Sequence, residues 1–382
     1  HRMLHNQMYI GNMEQGRAPR QTLHGTTGAA TNAAANTYTG FTAQAVEQKT
    51  IAADGSTVVE IKYDRNSYEV TYAYVGTAPA GASALPEKAT VKYGAPVAVA
   101  EAATAPGYTF SGWSREDGFT MPAENVTITG SFTANGDTAY TVEHYQQNLA
   151  GDGYDLVEAD TEHLTGETDT TATANPKTYT GFTFDESVEG TVASGNIAGD
   201  GSLVLKLYYT RNSYDVTYAY TGTVPTGASA LPEKATVKYG APVTVAEAAT
   251  APGYTFSGWS RNDFTMPAEN VTITGSFTAN SNTEYTVRHH FQNILDDAYD
   301  ADTAMLSETL SGTTDTLTAA AAKTVAGFTA QSFQQKNIAG DGSTVVDIYY
   351  NRNSYTVTYA VTGTVDPNPN YKQADYRFGQ NV

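Results

Sequence analysis

The chain repeats itself, and this constrains its fold more than any other feature. Residues Arg65–Arg115 return as Arg211–Arg261, an offset of 146 positions (Arg65 to Arg211). Five positions differ: Glu69/Asp215, Val75/Thr221, Ala78/Val224, Ala80/Thr226 and Ala98/Thr244. The Arg-Asn-Ser-Tyr opening appears a third time at Arg352. Each long copy holds one of the two tryptophans, in Ala105-Pro106-Gly107-Tyr108-Thr109-Phe110-Ser111-Gly112-Trp113 and its twin ending at Trp259. So long a period divides into two segment types, B (Arg65–Asn135) and A (Tyr140–Thr210).

Their alternation predicts six segments: A0 at 1–64, truncated at its start; B1 at 65–139; A1 at 140–210; B2 at 211–284; A2 at 285–351; and a partial B3 at 352–382. A unit of ~70 residues is near the lower limit for folding alone, so neighbours should stabilise one another. Alternation also separates the near-identical B copies, which limits mispairing during folding. Both ends cut segments, which reads as a window on a longer protein. The unfinished sheet edge of B3 would allow self-association.

Period-2 alternation marks most of the strands. Tyr68, Val70, Tyr72 and Tyr74 alternate with Glu69, Thr71 and Ala73, the pattern of a strand with one wet face. Thr90–Tyr93 and Tyr108–Trp113 read as short strands. Ala98–Ala105 reads as a helical turn or two, ended by Pro106. Val126, Ile128 and Phe132 share one parity and form a closing strand.

In type A, Tyr140–Tyr145 opens a strand, Gly199-Asp200-Gly201-Ser202 reads as a hairpin-type turn, and Leu205, Leu207 and Tyr209 face the core. Their counterparts are Val59, Ile61 and Tyr63, then Val346, Ile348 and Tyr350. Glu60, Lys206 and Asp347 share one position, and a site that takes either charge sign faces solvent. The expected fold is mainly β, built of small α+β, β-grasp-like modules in an elongated tandem array, like beads on a string.

Charge and composition exclude several function classes. Forty acidic against 21 basic residues give a net charge of −19, which repels a phosphate backbone and argues against nucleic-acid binding. The chain has no cysteine, so disulfides and Cys-ligated metals are excluded. No apolar run is long enough to span a bilayer. His1–His5 lacks the apolar core of a signal peptide. Residues 1–24 also diverge in composition from the repeats.

The B segments resemble the Listeria–Bacteroides repeat, also called the internalin B-repeat. The resemblance rests on Gly107–Trp113, the earlier Tyr93-Gly94 and the later Phe119-Thr120-Met121-Pro122-Ala123, with equivalents at Gly253–Trp259 and Phe264–Ala268. The A segments resemble mucin-binding-protein-type (MucBP) domains of Gram-positive surface proteins, on Tyr140-Thr141-Val142, Gly181-Phe182 and Leu207-Tyr208-Tyr209. Together the resemblances imply β-grasp-like modules in secreted, often wall-anchored adhesins, placed extracellularly on the bacterial surface.

A survey for chemistry assigns no catalytic, cofactor-binding or metal-ligating residue, and no cofactor. Nucleophile elbows, Walker loops and His-Glu-x-x-His motifs are missing from the sequence. The seven histidines are His1, His5, His24, His144, His163, His289 and His290. His289 and His290 are strand neighbours that point to opposite faces, which fits polar strand residues better than a metal pair. The Gly-Asp-Gly turns at Gly151, Gly199 and Gly340 lack the calcium-loop ligand series. Glu116-Asp117 becomes Asn262-Asp263 in the second copy, which a catalytic pair would not tolerate. Lys88/Lys234 and Lys92/Lys238 recur without a clear acidic partner for an isopeptide cross-link. Trp113 and Trp259 are expected as central core residues rather than sugar-stacking platforms.

The function expected is therefore non-catalytic: a stalk or adhesin repeat segment that projects a distal binding domain. The alternative is a multivalent array that binds host glycans, mucin, matrix protein or other surface proteins weakly.

Overall fold

A computed structural model describes residues 20–360, 362, 363 and 373–382. The start of the chain, with His1, His5 and most of the compositionally divergent stretch, lies outside the described residues. The chain divides into two compact units. The first comprises the described residues up to Gln146 with Tyr154–Lys177 and Phe184–Tyr209; the second comprises Gln147–Gly153, Thr178–Thr183 and the chain from Thr210 onward.

In the first unit, B1 is organised on the strand Ser67–Tyr74. Ala89–Lys92 pairs with it antiparallel on one side, and Val126–Gly130 pairs parallel on the other. Two short antiparallel pairs complete it, Pro96–Val97 with Phe119–Thr120 and Tyr108–Phe110 with Phe132–Ala134. The alternation of the sequence sends Val70, Val126 and Ile128 inward to meet Val97 and Met121, while Tyr68, Tyr72, Val91 and Trp113 pack around them.

A1 places its first strand, Thr138–Gln147, parallel to its last, Val204–Arg211, in the register Thr141↔Val204 to Gln146↔Tyr209. Glu162–Gly166 pairs antiparallel on the far side of the first strand. Leu205, Leu207 and Tyr209 are buried with Val142 and His144. A0 shows Phe41–Ala43 paired antiparallel with Tyr63–Arg65, over a core of Ala33, Val59 and Ile61.

The second unit repeats both plans. In B2, Ser213–Tyr220 lies between Ala235–Lys238, antiparallel, and Val271–Gly275, parallel. A2 forms a four-stranded sheet in the order Leu306–Gly312, Thr283–Phe291, Val345–Arg352, Phe328–Ala330. Its core gathers Val287, Phe291, Val346, Ile348 and Tyr350. Ser354–Val357 pairs with Ala374–Arg377 just as Ser213–Val216 pairs with Ala235–Lys238.

The mainly β expectation holds, and the helical part is small. Among the described residues the helix content is one 3-10 turn, Glu158–Asp160. The helical turn expected at Ala98–Ala105 does not form. Its backbone groups are taken by distant partners: Val99 N–H donates to Asp117 Oδ1, Ala100 N–H to the Tyr72 hydroxyl, and Thr104 N–H to Ser83 Oγ. Tertiary bonding overrides the helix propensity of an alanine-rich stretch.

The closing strand is also two strands, broken after Gly130. The Phe110 ring lies against Gly130 and leaves no room for a side chain there. The turn at Gly199–Ser202 is not a simple hairpin. Ser194–Asn196 pairs with Thr171–Thr173, while Val204–Arg211 joins the larger sheet; one bridge, Val192 with Lys206, spans the turn. Of the variable-charge position, Glu60 is exposed, and Lys206 and Asp347 are half-buried.

Candidate functional site

The tryptophans are half-buried rather than central. Trp113 stacks on Tyr74 at 5.9 Å between ring centres, and Tyr72 and Phe110 meet it edge-on at 4.9 Å each. Its indole N–H donates to the Glu101 carbonyl at 2.9 Å. Trp259 repeats the set with Tyr220, Tyr218, Phe256 and the Glu247 carbonyl. The centre of B1 is filled instead by Met121 and Ile128, each 0 % exposed. Trp113 closes the rim of that core, because a ring this large with a polar edge packs best where its N–H reaches a partner.

Each full A segment carries a buried histidine inside a hydrogen-bonded chain. In A2, Lys323 N–H donates to the Tyr350 hydroxyl at 2.8 Å, Tyr350 meets His289 Nδ1 at 2.9 Å, and His289 Nε2 meets Glu308 at 3.0 Å. A1 repeats the chain with Lys177, Tyr209, His144 and Glu162. The donor accounting fits one tautomer: Tyr350 accepts from Lys323 and donates to Nδ1, leaving Nε2–H to donate to the carboxylate. A hydrogen bond from Lys323 and the contact with His289 hold the Glu308 carboxyl below its ordinary value.

His290 points the opposite way, as its place beside His289 in the strand requires. It bonds Asp300 at 2.6 Å through Nδ1 and Asp347 at 3.0 Å through Nε2, and stacks on Tyr349. Burial opposes its charge, but the two carboxylates outweigh burial and raise its pKa above 6.5. The sequence expectation of plain polar strand residues therefore understates both histidines. Parity was the available signal, since His144 shares its face with Val142.

The same contacts recur wherever one segment type gives way to the next. From A to B, Gly40, Gly181 and Gly327 have φ of 77°, 78° and 78°. The rings of Tyr93, Tyr239 and Phe378 occupy the space a Cβ would need there. The arginine that opens each B segment lies over the neighbouring phenylalanine: Arg65 over Phe41, Arg211 over Phe182 and Arg352 over Phe328. Its Nη1 donates to the carbonyl of Tyr93, Tyr239 or Phe378. The amides of Asn66, Asn212 and Asn353 donate to the three glycine carbonyls at 2.8–2.9 Å.

From B to A, backbone meets backbone. Gly199 lies against the Pro106 carbonyl and Gly340 against the Pro252 carbonyl, so closely that neither could carry a side chain. Thr168 Oγ1 donates to the Gly107 carbonyl and Thr314 Oγ1 to that of Gly253, both at 2.8 Å. The Tyr108 and Tyr254 hydroxyls donate to Asp169 and Asp315. These bonds, with some burial, push both phenols above their ordinary value. Asp169 and Asp315 sit at φ 63° and 62°, a left-handed conformation that aspartate tolerates better than most residues.

The remaining residues singled out in the sequence lie apart from these contacts. His24 and His163 are exposed. The Gly-Asp-Gly turns at Gly199 and Gly340 are tied by their own serines, whose hydroxyls first and backbone N–H groups second hold the Asp200 and Asp341 carboxyls below their ordinary value. Asp117 and Asp263 are equivalent loop staples that accept Val99 N–H and Val245 N–H. Lys88 and Lys234 pair at the surface with Glu69 and Asp215. Among the described residues no group of three or more His, Asp or Glu is placed to hold a metal ion.

Comparison with known proteins matches two segments. Residues 68–136 match the divergent InlB B-repeat domain, and residues 214–284 match the Listeria–Bacteroides repeat domain. Both matches fall in the B segments and agree with the resemblance read there. No curated protein matches the chain. Among solved structures, the Bacillus anthracis TIE protein is similar at 9% identity and a TM-score of 0.29, covering 59% of this chain and 52% of its own. The chain thus spans about half the length of that relative. Domains 3–4 of a streptococcal cell-surface protein, from the high-identity tandem repeats called SHIRT, are similar at 16% identity and a TM-score of 0.17, covering 36% of this chain and 96% of theirs.

Proposed function

We propose that the chain is a non-catalytic structural segment of a bacterial cell-surface protein, a stalk that spaces a binding domain elsewhere in its parent from the cell. In this reading the A segments are MucBP-like partners of the B-repeats, and the parent is anchored at a Gram-positive wall. One observation carries the proposal: adjoining segments are joined by packed, hydrogen-bonded contacts that recur with the same residues at equivalent places. Contacts of this kind hold neighbours at a fixed spacing, which a flexible linker cannot do.

The test uses the natural lack of cysteine. Spin labels on Glu87→Cys and Glu186→Cys, both exposed positions of the first unit, would report the separation of B1 and A1. A narrow distance distribution is expected. A broad one, with saturable binding of mucin-type glycans to the same chain, would replace the spacer with the binding array.

A further inference from the structure

In both segment types the first and last long strands lie side by side and run parallel. A1 pairs Thr141–Gln146 with Val204–Tyr209, and A2 pairs Thr286–Phe291 with Val345–Tyr350. B1 pairs Val70–Tyr74 with Val126–Gly130, and B2 pairs Val216–Tyr220 with Val271–Gly275. Parallel strands are entered at one end and left at the other. Tension along the chain therefore pulls the two strands of each pair in opposite directions along their common axis. Their hydrogen bonds are loaded together, in shear. Had the same strands been antiparallel, the chain would enter and leave at one end, and the bonds would open one by one.

The pairing also lies where water competes least. Val70 and Ile128 in B1, and Val142, His144, Leu205 and Leu207 in A1, are all buried. Side chains brace the pair from both faces. His144 Nδ1 meets the Tyr209 hydroxyl at 2.9 Å, and His289 meets Tyr350 at the same distance. Thr71 and Thr127 hydroxyls meet at 3.2 Å, and Thr217 and Thr272 at 3.1 Å. One further backbone bond extends the ladder past its last register pair in B1, B2 and A2, such as Val75 N–H to the Gly130 carbonyl at 2.8 Å, and in A1 Thr141 N–H donates to the Leu203 carbonyl ahead of its first pair. Ala89–Lys92, Glu162–Gly166 and Leu306–Gly312 are attached antiparallel outside this pair and lie off the line of load. In the B segments the chain leaves through Phe132–Ala134 or Phe277–Ala279, so their short pairs with Tyr108–Phe110 and Tyr254–Phe256 share the load.

We infer that the parallel first-and-last-strand pair of B1, A1, B2 and A2 is a mechanical clamp, so that these segments bear tension along the chain. This gives the stalk reading a physical task and rests on it for its use in the cell. The paired strands lie within one segment each and form independently of the contacts between segments. Resistance to forced unfolding is set by the unfolding barrier rather than by equilibrium stability, so the direction of pulling must matter.

The experiment pulls the full chain through cysteine handles in two geometries. Ser67→Cys with Asp137→Cys loads the B1 pair in shear. Ser67→Cys with Glu124→Cys pulls the same ends of both strands and peels them; all three positions are exposed. Shear rupture should release about 240 Å of chain, from ~3.4 Å per residue over the segment. It should need a several-fold higher force than peeling at the same loading rate, with equal thermal melting of the two variants. Equal forces in both geometries would overturn the clamp while leaving the spin-label test of the spacer untouched. If either variant melts early, the equivalent handles in B2 are Ser213 with Asn282 for shear and Ser213 with Glu269 for peeling, and the same comparison decides.

Discussion

Replacing Tyr350 by Phe removes one oxygen from the centre of A2 and little else. Tyr350 is 1 % exposed and His289 is 0 % exposed, so the ring still packs while His289 Nδ1 loses its hydroxyl partner. Lys323 N–H also loses its acceptor, but that residue is exposed and its amide can turn to water. The cost is therefore set by one buried, unsatisfied imidazole nitrogen, about 1–3 kcal/mol. Adding His289→Leu removes the stranded nitrogen, and Glu308 keeps Lys323 Nζ at 2.9 Å. The double variant should accordingly cost less than the sum of the singles, by roughly 0.5–3 kcal/mol of coupling. Native-state hydrogen exchange on Thr283–Phe291 reads the effect, with the equivalent A1 strand Thr138–Gln147 as an internal control. A cost under about 0.5 kcal/mol, or strict additivity, would refute the buried chain as a stabilising unit.

Three further outcomes are expected. Because burial opposes the charge on His290 but Asp300 and Asp347 raise its pKa, its contribution is complete below pH 6.5 and is lost as pH rises through the raised value. Exchange protection of residues 293–302 should therefore fall as pH rises from 6.5 through the raised value, and a rise would contradict this. Gly327→Ala puts a methyl group where the Phe378 ring lies, at φ 78°; it should cost about 2–4 kcal/mol and unprotect the Asn353 amide. Trp113→Ala should cost about 2–3 kcal/mol, below the 3–5 of a fully buried aromatic. Loss of exchange protection should be confined to Ser67–Tyr74 and spare Ser213–Tyr220, and equal loss in both strands would contradict it.

Strand faces were legible in the sequence because a one-sided strand has a period of two. Val59 and Ile61, then Leu205, Leu207 and Tyr209, then Val346, Ile348 and Tyr350 are buried where that period placed them, and Tyr63 is half-buried against the same core as Val59 and Ile61. Direction and partner were not legible: nothing in Thr141–Gln146 announces that its neighbour is Val204–Tyr209 or that the pair runs parallel. Ala98–Ala105 misled because its helix propensity is real but its amides are claimed by Tyr72, Ser83 and Asp117. The recurring Gly-Phe at Gly40, Gly181 and Gly327 was visible as a motif. Its meaning required the ring of Tyr93, Tyr239 or Phe378, roughly fifty residues away, which only the folded chain brings to it.

The spacer account stands or falls on whether adjoining segments stay joined. Native-state exchange of five amides tests this directly: Asn66, Asn212 and Asn353, which donate to the glycines of the A-to-B contacts, and Thr168 and Thr314, which donate to Asn135 and Asn280 in the B-to-A contacts. Protection comparable to that of the adjacent strands is expected, because a contact that opens only with its sheet shares the free energy of that sheet. Exchange of these five near the rate of an unstructured peptide, while Ser67–Tyr74 and Thr283–Phe291 remain protected, would mean independent beads on loose joints and would contradict the account.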